Sequence, residues 1–377
     1  MFPPKKFIGF LLLSFCLICL LFTGCAPKQA SSIKSSGDPA YENTKIAIES
    51  ETGETKEITV AELRKLPQKE LDEASLTRST GFEEKFKAAG PTVKDVLASM
   101  GINIQDYKGL GFVGRDNYYC LVTPEIMANR ELILAIAVDG QSALPEDLSP
   151  ARLCIKGEFG PYWVRMVNKI ILYKEIPKKD ITSVWIFKNL AQGIAPYPYE
   201  YFGSKDDAIE LAQIFARFDN VSNKAFFTMK SADGFLKNEA LNMVSKGYYL
   251  KVAGKDAPMN ISPNYKLGMN VKYIAWFSTN ADAVVFPEEM AKLIDQEEIT
   301  GVKGTSLEKM LEEVRVENIG SKQFEVIDVS GDSVKVDGKD LTKGILVNKN
   351  DGTISVVWQD GTGLKPVANL MRIRSVK

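Results

Sequence analysis

The chain has 377 residues, of which 45% are hydrophobic and 25% are charged, and its formal net charge is -1. This composition is typical of a folded protein and excludes a disordered chain or a polytopic membrane protein. Because basic and acidic residues nearly balance, no surplus positive charge is present for a nucleic-acid partner, and none is expected. The chain has no histidine. Catalytic arrangements that need His and His-ligated metal sites are therefore excluded too.

The N-terminus has the pattern of an export signal. Lys5 and Lys6 precede an apolar run over residues 7–22, and small residues follow before Cys25. The run is shorter than the ~20 residues that a membrane-spanning helix needs, which favours a cleaved signal peptide over an uncleaved anchor. The sequence before Cys25 resembles a bacterial lipobox, in which the signal is cut before the Cys and the thiol carries acyl chains such as palmitate.

These patterns divide the N-terminal part of the chain. Residues 1–24 are predicted to be a lipoprotein signal peptide, and Cys25 is the predicted lipid attachment site. Residues 25–43 are rich in Ser, Lys, Gly and Pro and predict a flexible tether. We therefore expect a protein that is lipid-anchored at the cell membrane and faces the extracytoplasmic side.

The body of the chain begins with a helix and a hairpin. Over residues 93–101, Val93, Val96 and Leu97 share one helical face, and Gly101 is suited to end the helix. Strand-like segments then flank a polar turn at residues 114–117. Further apolar runs, including residues 132–138, follow before the unit ends.

The same order of elements recurs twice further along the chain. The second copy has an amphipathic segment at residues 208–218 and a turn at residues 231–234. The third copy is weaker and starts with a helical face at residues 307–314. The near-constant offset between matching residues predicts tandem repeats, although chance recurrence is the alternative. The predicted units are residues 44–178, residues 179–298 and a smaller β-rich domain at residues 299–377.

Three segments of the first unit carry a resemblance to a known family. Residues 93–101, 134–145 and 150–165 combine a helix that ends in Gly, an apolar strand with a turn before Leu-Pro, and the run PARLCIKGEFGPYWVR. In this order they resemble the molybdopterin-binding domain of the sulfite oxidase family. The resemblance implies an α+β fold built from tandem repeats of a sulfite-oxidase-like mixed α/β domain. It also implies a groove that holds a pterin cofactor in catalytic members.

The resemblance also shows where this chain departs from catalytic members. Those members hold molybdenum through a Cys thiolate, in a strand shortly before the amphipathic helix. The corresponding residues 75–81, SLTRSTG, contain no Cys, so the soft ligand that such a metal needs is missing. We therefore expect no metal site and no bound cofactor. The resemblance leaves molybdopterin as an alternative, with oxygen ligands from Ser79 or Thr80.

One segment combines features of a ligand site. Its glycines allow close approach of a ligand, its aromatic rings can stack on a flat ring, and an arginine can hold an anion. A neighbouring arginine faces the same groove by family analogy. The candidate ligand-binding residues are Arg115, Gly157, Phe159, Gly160, Tyr162, Trp163 and Arg165. The alternative is that the rings pack between repeats and the arginines are solvated.

Two further features have open interpretations. Cys120 and Cys154 form either a disulfide, which an exported protein permits, or two buried free thiols. The Pro- and Tyr-rich residues 194–202 form either a packed connector or a surface for a partner or glycan.

The favoured function is a non-catalytic binding or structural module on a molybdopterin-binding-like scaffold that lacks the metal-ligating Cys. A small molecule or a protein is the expected partner at the groove, besides the membrane reached through the lipid. One alternative is a pterin-cofactor-binding oxidoreductase or electron-transfer subunit. A further alternative is a solute- or glycan-binding lipoprotein.

Overall fold

The chain folds into short helices and many β-strands, which confirms the predicted α+β class. A computed structural model describes residues 33–77, 83–158, 160–201, 203–219, 226–244, 247–262, 270–349 and 351–376. Within these ranges, no helix is long and apolar enough to cross a membrane.

The first unit corresponds to the predicted residues 44–178 but begins earlier in the chain. The prediction of a flexible tether up to residue 43 is wrong for residues 39–42, which form a helix: Tyr41 is 6% exposed in the core, and its hydroxyl donates a hydrogen bond to the backbone oxygen of Pro150 at 3.0 Å. The strands of this unit are Lys45–Ser50 (β1), Thr55–Thr59 (β2), Gln68–Thr77 (β3), Glu83–Pro91 (β4), Gly109–Gly114 (β5), Tyr119–Val122 (β6), Leu132–Ala135 (β7), Ala137–Val138 (β8), Arg152–Ile155 (β9) and Val167–Tyr173 (β10). Its α-helices are Pro39–Glu42 (α1), Val60–Leu63 (α2), Val93–Ser99 (α3) and Pro124–Asn129 (α4), and 3₁₀ turns lie at Ile104–Asp106 and Gly160–Tyr162.

The remainder of the chain continues with further short elements. Its strands are Ser183–Ile186 (β11), Tyr197–Tyr201 (β12), Ser204–Glu210 (β13), Phe226–Ser231 (β14), Leu236–Ala240 (β15), Tyr249–Lys251 (β16), Met259–Ile261 (β17), Ile274–Ser278 (β18), Asp282–Val285 (β19), Gln296–Ile299 (β20), Val302–Ser306 (β21), Gln323–Asp328 (β22), Ser333–Asp337 (β23), Gly344–Asn348 (β24), Ile354–Trp358 (β25) and Leu370–Val376 (β26). Its α-helices are Phe187–Leu190 (α5), Leu211–Phe215 (α6), Leu241–Val244 (α7), Pro287–Leu293 (α8), Leu307–Glu313 (α9) and Gly338–Leu341 (α10), with a 3₁₀ turn at Ile319–Ser321.

Helix α3 forms where the sequence predicts it. The Thr92 side chain accepts a hydrogen bond from the backbone N–H of Asp95 at 3.0 Å, which caps the first turn. The apolar face that contains Val93, Val96 and Leu97 is fully buried in the core of the first unit. Gly101 then adopts a φ of +73°, which glycine tolerates and which ends the helix.

The first unit is built on a five-stranded sheet in the order β2-β1-β10-β5-β6, with β1 parallel to β10. A three-stranded sheet, β3-β4-β8, and the pair β7-β9 complete it. The apolar run at residues 132–138 is therefore two strands rather than one. It breaks at Ile136 because β7 pairs with β9 while β8 pairs with β4.

The rest of the chain shares one eight-stranded sheet, in the order β15-β14-β18-β19-β11-β26-β22-β23. Its two halves have matching arrangements on either side of the parallel pair β11 and β19. Strands from residues 179–298 and from residues 299–377 both contribute to this sheet, so the two predicted units are not separate folding domains. Two four-stranded sheets, β12-β13-β16-β17 and β20-β21-β24-β25, complete this part. The recurring order favours the predicted duplication, which stays a prediction.

One predicted helix is wrong in its extent. The segment at residues 208–218 begins as the end of strand β13, because Ala208, Ile209 and Glu210 pair with β16. Only Leu211–Phe215 is helical, as α6. The apolar spacing of this segment is compatible with a helix and with a strand, and pairing with β16 makes its first three residues part of a strand.

The first unit docks on the eight-stranded sheet through the hairpin of β5 and β6. The ring of Tyr119 stacks on Phe226 of β14 with centroids 5.2 Å apart. The side-chain amide of Asn117 donates a hydrogen bond to the hydroxyl oxygen of Tyr248 at 3.3 Å. Tyr118 also forms a bridge with Glu239 of β15. This junction places the hairpin between β14 and β15 beside the first unit.

Candidate functional site

A cleft of about 320 Å³ lies where the first unit meets the β14–β15 hairpin. This volume is at the lower end of the range of small-molecule sites. The cleft is lined by Glu84, Asp116, Tyr118, Arg152, Gly160, Pro161, Trp163, Val164, Arg165, Phe235 and Leu236. Charged and apolar side chains therefore border the same opening, which we call the junction cleft.

Arg152 forms the buried part of the junction cleft. It lies on β9 with a side chain only 3% exposed, and its Nη1 is 3.2 Å from Oε1 of Glu84 on β4. Its guanidinium also lies 4.3 Å from the ring centre of Phe86. Burial, an opposite charge and an aromatic face together hold this cation in one position.

Arg165 forms the open part of the cleft. Its Nη1 is 3.3 Å from Oδ2 of Asp147, and both side chains are about half exposed. An exposed pair of this kind contributes little free energy, because water screens both charges. An anionic ligand can therefore replace Asp147 at Arg165 at little cost.

A glycine allows the backbone at Arg165 to reach the β5–β6 hairpin. A Cβ atom at Gly114 would lie 2.7 Å from the backbone oxygen of Arg165 and 2.5 Å from Oδ1 of Asp116. The backbone N–H of Arg115 donates to the oxygen of Met166 at 2.9 Å. Any larger residue at position 114 would separate these two sides of the cleft.

Trp163 is fixed by its surroundings. Its Nε1 donates a hydrogen bond to the backbone oxygen of Glu158 at 2.9 Å, and its ring meets Phe86 edge-on at 5.7 Å. The residue is 3% exposed. Trp163 therefore forms a rigid part of the cleft lining. Because it is buried, its ring does not offer a full face on which a ligand could stack.

The exposed apolar side chains of the cleft are Phe235 and Leu236, which are 49% and 36% exposed. They follow the turn at Gly234, whose φ is +89°. The sequence predicts this turn but gives no sign that its apolar neighbours reach the first unit. That contact depends on the docking of two distant parts of the chain.

The predicted ligand residues separate into three groups. Gly160, Trp163 and Arg165 line the junction cleft. Arg115 is exposed on the adjoining turn, Tyr162 packs against the cores of the first unit, and Gly157 lies beside the guanidinium of Arg130. Phe159 and the lipid-attachment residue Cys25 lie outside the described residues.

Cys120 and Cys154 are both free and buried, so the disulfide alternative is not formed. They lie in different sheets, on β6 and β9. Burial raises the pKa of each thiol to about 12. Both sulfurs are therefore protonated at neutral pH, and a protonated thiol is a poor metal ligand.

The residues present do not fit a molybdenum cofactor. The segment at residues 75–81 has no Cys, and residues 78–82 lie outside the described ranges. Where the structure describes the chain, no group of three or more His, Cys, Asp or Glu side chains is arranged to hold a metal.

Comparison with known proteins defines the class of the first unit. Residues 35–180 match the family model described as the oxidoreductase molybdopterin binding domain. The predicted resemblance is thus confirmed for this part of the chain, which forms a sulfite-oxidase-like domain.

Among solved structures, the chain is similar to that titled "Crystal Structure of the Sulfane Dehydrogenase SoxCD from Paracoccus pantotrophus". The two sequences are 12% identical, the match covers 66% of this chain and 79% of the other, and the TM-score is 0.32. A similarity at this TM-score gives no information about the activity of this chain. No curated protein matches the chain.

Proposed function

We propose that this protein is a non-catalytic binding module, held by lipid on Cys25 at the extracytoplasmic face of a membrane. The observation that carries the proposal is the chemistry of the available donors. A molybdopterin-domain scaffold is present, but residues 75–81 have no Cys and both described thiols are buried and protonated. A scaffold of this kind recognises a ligand without exchanging electrons with it.

The junction cleft is the proposed binding site. Arg165 supplies an exchangeable positive charge, Phe235 and Leu236 supply exposed apolar surface, and Arg152 with Trp163 forms rigid walls. This combination fits a small molecule with a ring or apolar body and one carboxylate. The carboxylate replaces Asp147 at Arg165, and the ring packs against Phe235.

Thermal unfolding with small ring-bearing acids tests this site. Benzoate and related monocarboxylates are compared with their neutral amides on the mature protein. We expect an acid to raise Tm, and to raise it less in Arg165→Met and Phe235→Ser. Asp147→Asn should increase the shift, because Arg165 then has no competing carboxylate. Equal shifts in all variants, or no shift with any acid, would contradict the proposed site.

The proposed anchor has a separate test. Palmitate labelling of cells should mark the wild-type protein and leave Cys25→Ser unlabelled, with that variant released into the soluble fraction. Labelling that persists in Cys25→Ser would contradict attachment at this residue.

The second candidate is an oxidoreductase or electron-transfer subunit, which the family match at residues 35–180 favours. It requires a bound cofactor with oxygen ligands, such as Ser79 or Thr80. In that case the native protein absorbs visible light, and Ser79→Ala loses both the absorbance and any electron-transfer activity. A colourless native protein argues against this candidate.

A further inference from the structure

A stack of tyrosine rings lies far along the chain from the junction cleft, on the sheet β12-β13-β16-β17. Tyr197 is 53% exposed, and its ring stacks on Tyr249 with centroids 5.5 Å apart and planes inclined by 29°. Tyr249 in turn lies 4.7 Å from Tyr199. We call Tyr197, Tyr199 and Tyr249 the tyrosine platform.

The platform is rigid because its lowest ring is part of a small core. Tyr199 is 7% exposed and packs with Ala208, Met259 and Ile261. The strand register places all of these side chains on one face of the sheet. The exposed ring of Tyr197 is thus supported from below and loses little freedom when a ligand covers it.

Polar groups border the rings on the same face. Asp206 lies opposite Tyr199, and its Oδ1 is 2.9 Å from Nζ of Lys251. Glu210 lies opposite Tyr249 in the neighbouring strand. Carboxylate oxygens accept hydrogen bonds strongly, and they stand beside ring faces that offer apolar contact.

Two classes of partner are disfavoured by these observations. A peptide that adds a strand beside Tyr197 needs backbone donors along β12, which is one of the two edge strands of this sheet, but Pro198 in β12 has no N–H. A nucleic acid stacks its bases on such rings but brings phosphates. The carboxylate of Glu210 repels these phosphates, while that of Asp206 is paired with Lys251.

A sugar ring has the complementary shape and chemistry. One face of a pyranose carries C–H groups that pack on an aromatic ring, while its rim carries hydroxyls that donate to carboxylates. We infer that the tyrosine platform binds a neutral oligosaccharide, with a sugar ring on Tyr197 and its hydroxyls directed to Glu210 and Asp206. This site is separate from the junction cleft, so a failure of sugar binding here would not contradict the proposed binding of an acid in the junction cleft.

Calorimetric titration of the mature protein with soluble tetramers of β-linked N-acetylglucosamine and of β-linked glucose tests the inference. We expect one of them to bind, and Tyr197→Ala to weaken that binding about tenfold. Tyr273→Ala is the matched control, because Tyr273 is 44% exposed and is not one of the three rings of the platform. Tyr197→Trp should keep the binding, since it retains a flat ring, and thermal melting verifies that each variant is folded.

Two further measurements separate a sugar from a charged ligand. Glu210→Gln removes the strong acceptor with little change of shape and should weaken binding several-fold. Raising the salt concentration should leave the affinity nearly unchanged, because the ligand is neutral. The inference is overturned if neither tetramer binds, if Tyr197→Ala binds as well as Tyr273→Ala, or if salt abolishes the binding.

Discussion

Arg152 and Arg165 line the same cleft, yet they differ in how firmly their carboxylate partners hold them. The pair of Arg152 with Glu84 is largely buried, whereas the pair of Arg165 with Asp147 is open to water. Charges buried together are costly to separate, because the remaining charge has no solvent. The cleft therefore combines one fixed cation with one that a ligand can use.

Glu84→Gln should lower the free energy of unfolding by about 3 kcal/mol, because it leaves the Arg152 guanidinium buried without an opposite charge. Asp147→Asn is the matched control and should cost less than about 1 kcal/mol, since its pair is exposed. Urea unfolding of both variants measures the difference. Equal losses would contradict the account of Arg152.

The sequence predicts only part of the site at this scale. Gly160, Trp163 and Arg165 follow from a local motif, and they do line the cleft. Glu84 and Phe235 were not predicted, because each reaches the cleft through strand pairing or docking between distant segments. No local pattern encodes such contacts. The nearest signal in the sequence is the turn at residues 231–234. It predicts the β14–β15 hairpin, but it does not predict that this hairpin lies against the first unit.

The elements were predictable where local capping and periodicity agree. Helix α3 has a capping threonine, a buried apolar face and a terminal glycine, and its position follows from the sequence. The segment at residues 208–218 has a similar apolar spacing, but its first residues pair with β16 instead. A local pattern contains no information about strand pairing with a distant segment, so it could not predict where this helix begins.

Two threonines precede helices of the first unit and differ in one respect. The side chain of Thr92 accepts a hydrogen bond at the start of α3, whereas that of Thr123 makes no capping bond at α4. Thr92→Ala should therefore lower the free energy of unfolding by about 1 kcal/mol, and Thr123→Ala should change it by much less. Chemical denaturation checks this, and a larger loss for Thr123→Ala would contradict the capping argument.

At the scale of the molecule, strands β11 and β19, which are about 100 residues apart in the sequence, pair in parallel at the centre of the eight-stranded sheet. Trp185 of β11 donates a hydrogen bond from Nε1 to Oδ1 of Asp282 on β19 at 2.8 Å. Asp282 is 2% exposed, and burial raises the pKa of its carboxyl from 3.8 to about 6. The sharing of one sheet by residues 179–298 and 299–377 does not follow from the sequence, because it depends on the pairing of β11 with both β19 and β26.

The raised pKa of Asp282 gives the stability a dependence on pH. The folded protein takes up this proton more readily than the unfolded chain, so the contribution is present below about pH 4 and is lost as the pH rises through about 6. The advantage of Asp282→Asn over the wild type should therefore grow by about 2 kcal/mol between pH 4 and pH 7.

Urea unfolding at several pH values measures this difference. Asp340→Asn is the control, because that carboxyl is exposed beside Lys343. The change with pH should be larger for Asp282→Asn than for this exposed variant. Parallel curves for Asp282→Asn would contradict the role of burial.

We propose that the molybdopterin-domain scaffold of this protein works without a redox cofactor. The decisive measurement is the metal and pterin content of the mature protein, purified from its native host. We expect far less than one molybdenum, tungsten or pterin per chain. One metal and one pterin per chain would contradict it.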